Sequence, residues 1–148
     1  MIIDTSIVVA LLLREPEASA YVALMSQAPS RRLSAATYVE LSAVVDGRRD
    51  PATSGALDAI LASSGIEVVA FTAGQARIAR DAYQRFGRGS GHPARLNMGD
   101  CFSYALARDF GEPLLFKGND FAQTDIELLT EPDRRKRLSE IVAAYAAG

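Results

Sequence analysis

The sequence predicts an α/β protein, a three-layer α/β/α domain with a mainly parallel sheet between two layers of helices. Short apolar segments rich in β-branched residues alternate with segments whose apolar residues recur at helical spacing. Such alternation is typical of βαβ units. The 148 residues are enough for one domain with a sizeable core and too few for two.

The first half of the chain predicts two strands and four helices. Residues 1–3 form a short strand that ends near Asp4, and the sequence Asp-Thr-Ser supplies N-cap residues for a helix over residues 7–13. Pro16 is a favourable first residue for a second helix, which extends to about Gln27. The remaining elements are a strand at 33–36, a helix at 37–46 and a helix through Leu57, Ile60 and Leu61.

The second half continues the alternation. Residues 66–71, IEVVAF, are the most strand-like segment because they are rich in β-branched residues and follow Gly65. A helix is predicted next from side chains in helical register: Ala76, Ala79, Tyr83 and Phe86. The remaining elements are a glycine-rich loop at 87–93, a helix at 98–109, a strand at 113–116 and a further strand candidate at 126–129.

The composition argues against a membrane or secreted protein. The chain is 49% hydrophobic and 23% charged, which is ordinary for a globular protein. The apolar run at 7–13 is far shorter than the ~20 residues that cross a bilayer, and the opening MIIDTS has no basic region of a secretory signal. The single cysteine, Cys101, excludes an intramolecular disulfide. We therefore expect a cytoplasmic protein.

Four carboxylates fall at matching ends of the predicted elements. Asp4 follows the first strand, Glu40 is one turn into the helix after the second strand, Asp100 begins the helix before the fourth strand, and Asp120 follows that strand. In parallel sheets, ligands bind at the carboxyl ends of the strands. Acids gathered there repel one another unless a cation is bound. An all-oxygen ligand set suits Mg²⁺ or Mn²⁺.

Each acid also has a purely structural interpretation. Asp4 could cap the first helix, and Glu40 could be an exposed helix glutamate. With Asn97 as N-cap, Asp100 falls at N3, where an acid complements the helix dipole. Asp120 lies in a Gly-Asn-Asp turn. Capping and metal binding are compatible, so the four acids together favour a metal site.

The segments around these acids resemble a known family. The resemblance rests on MIIDTS, on SAATYVELSAVV around Glu40, on LNMGDCFSYALA around Asp100 and on PLLFKGNDF around Asp120. These are similar to PIN-domain ribonuclease toxins, and more narrowly to the VapC toxins of bacterial VapBC pairs. The similarity covers residues 1–131 and leaves 132–148, a basic turn followed by a short apolar-faced helix, without a role.

The resemblance implies roles for the acids. Asp4 and Asp100 match the metal ligands, and Glu40 matches the third acid, which positions or deprotonates the attacking water. Thr5 or Ser6 matches a hydroxyl that supports the metal or the substrate. The fourth acid of many PIN domains falls here at Gly118, so either Asp120 or Asn119 completes the site.

The resemblance further implies an endoribonuclease with bound Mg²⁺ or Mn²⁺ and two kinds of protein partner. The chain is expected to form a homodimer and to bind a VapB-like antitoxin. Apolar helical material at 7–13, 21–25 and 57–61 exceeds what one sheet face needs and also favours such partners.

The net charge of −2 gives no global attraction to RNA. Local arginines are expected to hold its backbone: Arg85, Arg88 and Arg95.

Three other functions agree with parts of the sequence. A phosphatase of the haloacid dehalogenase type needs a second aspartate two residues after Asp4, where this chain has Ser6. A receiver domain needs an acid after the third strand, where Phe71-Thr72-Ala73 offers none, although Lys117 could be its lysine. A non-catalytic PIN-like RNA-binding protein stays possible, and loss of Asp4 or Asp100 would indicate it. Both acids are present.

Overall fold

The computed structural model describes residues 1–47 and 49–126. Its strands form one parallel sheet. Its order is β3-β2-β1-β4, and its strands are β1 (Ile2–Ile3), β2 (Arg31–Ser34), β3 (Ile66–Val69) and β4 (Leu114–Leu115). The helices are α1 (Thr5–Leu12), α2 (Ala18–Ser26), α3 (Ala35–Asp46), α4 (Pro51–Ser63), α5 (Ala73–Phe86) and α6 (Met98–Phe110). The predicted parallel sheet is confirmed.

Helices cover both faces of this sheet. Successive strand residues point to opposite faces, and in β1 the side chain of Ile3 packs in a core shared with α1–α4, whereas Ile2 packs in a second core with α5 and α6. The alternation repeats in β4, where Leu115 belongs to the first core and Leu114 to the second. The three-layer α/β/α arrangement is therefore confirmed.

Helix caps set two strand boundaries differently from the prediction. Strand β2 ends at Ser34, because the Ser34 hydroxyl accepts a hydrogen bond from the Ala36 amide and starts α3 two residues early. Strand β3 ends at Val69 instead of residue 71. Thr72 and Gln75 form a capping box that starts α5 directly afterwards.

Of the four α5 side chains predicted in register, Ala79 and Phe86 are buried as expected, but Ala76 and Tyr83 are not. The buried side chains of α5 are Gln75, Ala79, Ala82 and Phe86. Tyr83 is 44% exposed, and Ala76 is exposed as well. Gln75 can occupy a buried position because its amide donates to Asp109 Oδ2 at 2.8 Å. Gln75, with its amide hydrogen-bonded, therefore lies on the buried face of α5, where the periodicity predicted Ala76.

The segments predicted to form apolar partner surfaces contribute largely to the protein's own core. Ile7, Leu57 and Leu61 are buried, as are Leu24 and Met25. Ile126 is buried outside the strands, whereas the rest of the strand candidate at 126–129 and the tail at 132–148 lie outside the described residues. No helix within the described ranges is long and apolar enough to cross a membrane.

Candidate active site

The carboxyl edge of the sheet brings the predicted acids into one region. Asp4 directly follows β1, and Asp120 lies a few residues beyond β4. Helix α6 leads into β4 and so runs against the strands, which places its first turn, with Asp100, at the same edge. Glu40 lies in the second turn of α3, the helix that follows β2.

Asp4 is buried and held by hydroxyl groups. Its Oδ2 accepts hydrogen bonds from the Ser6 amide at 3.0 Å and from the Ser6 hydroxyl at 2.7 Å. Its Oδ1 accepts from the Ser103 hydroxyl at 2.8 Å. The Ser6 hydroxyl in turn accepts from the Lys117 amide, which ties α1 to the segment after β4. Asp4 therefore caps α1, and its carboxylate has one defined orientation.

Ser103 is a site residue that the sequence reasoning missed. It is 1% exposed, and the hydrogen bond to Asp4 spans 99 positions in the sequence. A signal was available, because the i,i+3 spacing of Asp100 and Ser103 places both on one face of α6. A serine on the apolar face of a helix needs a polar partner.

Asp100 combines a capping role with an acidic environment. Its amide donates to Asn97 Oδ1 at 2.8 Å, and its Oδ2 accepts from the Asn97 amide at 2.7 Å, which completes the expected capping box. Burial raises the pKa of the Asp100 carboxyl to about 6, and Asp4, Asp120 and Glu40 add to the increase. The capping bond acts in the opposite direction and is outweighed. Negative charge is therefore concentrated around Asp100.

Glu40 leans over the start of α6. The residue is largely exposed, but a Cβ added at Gly99 would collide with the Glu40 carboxylate. Partial burial and the charge of Asp4 raise the pKa of Glu40. Thr5, Glu40, Gly99 and Asp100 line one small cavity. Because Gly99 has no side chain, the Glu40 carboxylate can occupy this space.

Asp120 lies in an exposed turn, and its negative charge acts on the site. Gly118 has a φ of 99°, a conformation that a residue with a side chain rarely adopts. An acid at position 118 would have to adopt this conformation. Asp120 raises the pKa of Asp100, so its charge acts on the same region. Asn119 and Asp120 line an adjacent cleft.

The four acids fit a hard divalent cation chemically. Within the described ranges, none of them forms a salt bridge with a lysine or arginine, and the available donors are carboxylate and hydroxyl oxygens. As placed, no three His, Cys, Asp or Glu side chains of the described part enclose an ion. That Asp4, Glu40 and Asp100 share one ion therefore stays a prediction. The charges of Asp4 and Glu40 both act on Asp100, which is consistent with a shared site.

The three predicted RNA-binding arginines separate into two environments. Arg88 and Arg95 line the cleft beside Asp120. Arg85 instead pairs with Asp81 at 3.3 Å and with Asp125 at 2.8 Å. Its guanidinium also lies over the Phe86 ring, 4.5 Å from the centroid. Arg85 therefore joins α5 to the segment that carries Asp125.

Comparison with known protein sequences shows the family to which this chain belongs. The PIN domain family model matches residues 1–127. Ribonuclease VapC28 of Mycobacterium tuberculosis is 54% identical over 127 residues, which cover 86% of this chain and 96% of that relative. This chain belongs to the VapC family of PIN-domain proteins. A second relative in the family, Ribonuclease VapC42 of the same species, is 51% identical over 126 residues, 85% of this chain and 96% of its own length.

Solved structures with the same fold lie further away in sequence. VapBC2 from Rickettsia felis aligns with a TM-score of 0.70 at 16% identity, over 86% of this VapC-family chain and 95% of the solved one. Mycobacterium tuberculosis VapC20, described as a Sarcin-Ricin loop cleaving toxin, aligns with a TM-score of 0.63 at 21% identity, over 84% and 95%. At these identities the likeness establishes the fold.

Proposed function

We propose that this VapC-family chain is a metal-dependent endoribonuclease that cleaves cytoplasmic RNA as the toxin of a type II toxin–antitoxin pair. The observation that carries the proposal is the group of four acids at the carboxyl edge of the sheet, with the pKa of Asp100 raised to about 6. Titratable groups perturbed by burial and by like charge are typical of catalytic sites. The names of relatives at 44–54% identity, all VapC ribonucleases, support it.

In this proposal Asp4 and Asp100 hold Mg²⁺ or Mn²⁺. Mg²⁺ in proteins is usually bound by one or two carboxylates, with water and substrate phosphate completing the shell, so two acids suffice. When bound, the ion lowers the pKa of a water and neutralises charge on the scissile phosphate. Ser6 and Ser103 orient the Asp4 carboxylate. Thr5 lines the same cavity and supports the metal or the substrate.

Glu40 acts as the general base. Its raised pKa makes the carboxylate a better proton acceptor than a glutamate whose pKa is not raised. It accepts a proton from the attacking water while the water oxygen forms a bond to phosphorus. The bond to the leaving oxygen breaks, and that oxygen takes a proton from solvent water. Arg88 and Arg95 hold the RNA backbone, and Arg85 orders the segment beside them. Asp120 adds negative charge at the edge of the site.

RNA cleavage in defined metal conditions tests the function. Purified protein is incubated with structured RNA in Mg²⁺, in Mn²⁺ and in EDTA, and the new RNA ends are sequenced. Cleavage is expected with either metal, should stop in EDTA and should return when excess metal is added. A parallel preparation of Asp100→Asn controls for contaminating nucleases. RNA binding without cleavage would favour the non-catalytic alternative, and cleavage that persists in EDTA would contradict the metal site.

We further propose a homodimer and a small VapB-like antitoxin as partners. A toxin–antitoxin complex from Klebsiella pneumoniae shares the fold, with a TM-score of 0.64 at 19% identity. Large apolar side chains stay exposed near the site, namely Val39, Val44 and Met98. Light scattering of the purified chain should give twice the monomer mass, and a small protein encoded beside it should co-purify. A monomer at micromolar concentration without such a companion would contradict both partners.

A further inference from the structure

A second polar cleft adjoins the acids and has its own chemistry. Its polar lining residues include Arg88, Arg95, Asn119 and Gln123, beside Asp120. Pro93 and Ala94 add apolar surface to the lining. The cleft therefore combines two cations, two amides and an apolar surface directly beside the proposed catalytic acids.

The two cleft arginines differ from Arg85, which precedes them by three and ten positions. Arg85 has two acidic partners, Asp81 and Asp125. Arg88 and Arg95 form no ion pair with any residue of 1–47 or 49–126. Their guanidinium groups are thus available to an anion from outside this part of the chain.

Arg95 lines the cleft from an unusual backbone conformation. Its φ of 51° is uncommon for a residue with a side chain and costs conformational energy. The neighbours Ala94 and Leu96 are buried. The Leu96 amide donates to the Phe86 carbonyl oxygen at 2.8 Å, and the Leu96 carbonyl oxygen accepts from the Arg88 amide at 3.0 Å. The fold retains this conformation because both flanks are fixed, and the Arg95 side chain is left exposed.

We propose that this cleft binds one unpaired nucleotide of the RNA next to the scissile phosphate, and this rests on the proposed nuclease function. Arg88 and Arg95 bind the phosphate, for which the planar guanidinium group is well suited. Such contacts position RNA without selecting its sequence. Gln123, with Asn119, hydrogen-bonds the base edge, because an amide offers both a donor and an acceptor. The nucleotide is unpaired in this proposal, since sequence-specific recognition of RNA overwhelmingly uses the edges of unpaired bases.

Direct binding tests the phosphate part of the proposal. A fluorescent single-stranded RNA of random sequence is titrated with protein in EDTA, and anisotropy is recorded at several salt concentrations. Arg88→Ala and Arg95→Ala should each weaken binding several-fold and reduce the slope of log affinity against log salt by about 0.7, the value for one phosphate contact on a single strand. Arg77→Ala, at an exposed arginine of α5 outside the cleft, is the matched control. Unchanged affinity and slope in both cleft variants would overturn the proposal.

Cleavage of a randomised RNA library tests the base-reading part. Gln123→Ala should lower the base preference at one position flanking the cut by about tenfold, the usual value of a good amide–base contact. Arg88→Ala should slow cleavage at all sites and keep the preference. Gln84→Ala, at an exposed glutamine of α5, controls for general effects. A preference unchanged by Gln123→Ala would refute base reading.

The two experiments separate this proposal from the nuclease function. If the wild-type protein binds RNA through Arg88 and Arg95 but cleaves none, the nuclease function fails and only the phosphate contacts of the cleft are supported. If it cleaves RNA with rates and preferences that none of the cleft variants changes, the nuclease function stands and the cleft proposal fails.

Discussion

Asp4→Asn and Asp100→Asn are each expected to lower RNA cleavage by orders of magnitude while the protein stays folded. Asparagine keeps the size of aspartate but loses the charge that binds a hard cation. At position 4 its oxygen can still accept from the Ser6 amide, and the Ser103 hydroxyl can rotate to accept from its NH₂ group. At position 100 its oxygen can still accept from the Asn97 amide. The local structure therefore survives in both variants.

Asp100→Asn should also stabilise the metal-free protein at neutral pH. The pKa of Asp100 in the folded protein is about 6, above the ~3.9 of an unfolded aspartate. Its contribution to stability is therefore fully present below about pH 4 and is lost as the pH rises through 6. Asparagine does not ionise and avoids that loss. In EDTA the variant should melt a few degrees above wild type at pH 7.5 and at the same temperature near pH 4.

Two measurements distinguish a metal site from simple helix capping. Cleavage is followed on gels of structured RNA, and Mn²⁺ binding is followed by calorimetry without RNA. Both should fall in Asp4→Asn and Asp100→Asn, and neither should fall in Asp46→Asn, which neutralises an exposed acid at the end of α3. If both site variants cleave at the wild-type rate, the acids serve only as caps and the proposed site is wrong.

Glu40→Gln is expected to reduce cleavage by about 10²–10⁴-fold, the usual contribution of a general base, and to leave most of the Mn²⁺ binding. Glutamine has the same shape and can lie over Gly99 as Glu40 does, but it cannot accept a proton from water. The wild-type rate should rise with pH as Glu40 deprotonates, since only the carboxylate form is a base. The variant should lose this rise. Cleavage is measured across pH at saturating metal.

Gly99→Ala offers an independent check on the position of Glu40. The added methyl group would collide with the Glu40 carboxylate and displace it without changing any acid. Alanine is a good helix residue, so α6 should form normally. Activity should fall as in Glu40→Gln. A wild-type rate and pH profile in Glu40→Gln would show that Glu40 is an ordinary helix glutamate.

Among the acid variants, Asp120→Asn should have the smallest effect on cleavage.

Local signals in the sequence determined much of the fold and part of the site. The order of strands and helices follows from periodicity, and the caps at Asp4 and at Asn97 with Asp100 follow from residues at most three positions apart. Such features depend on the nearest neighbours in the chain, so the sequence alone can show them. The parallel topology then placed Asp4, Asp100 and Asp120 at one edge without any knowledge of side-chain contacts.

Tertiary structure alone decided which polar groups meet. The hydrogen bond of Ser103 to Asp4 and the ion pair of Arg85 with Asp125 join segments 99 and 40 positions apart. The sequence grouped Arg85 with Arg88 and Arg95, whereas packing assigned it to a structural pair and left the other two beside the acids. Such partners depend on how helices pack across the sheet, and no local preference encodes that distance or direction.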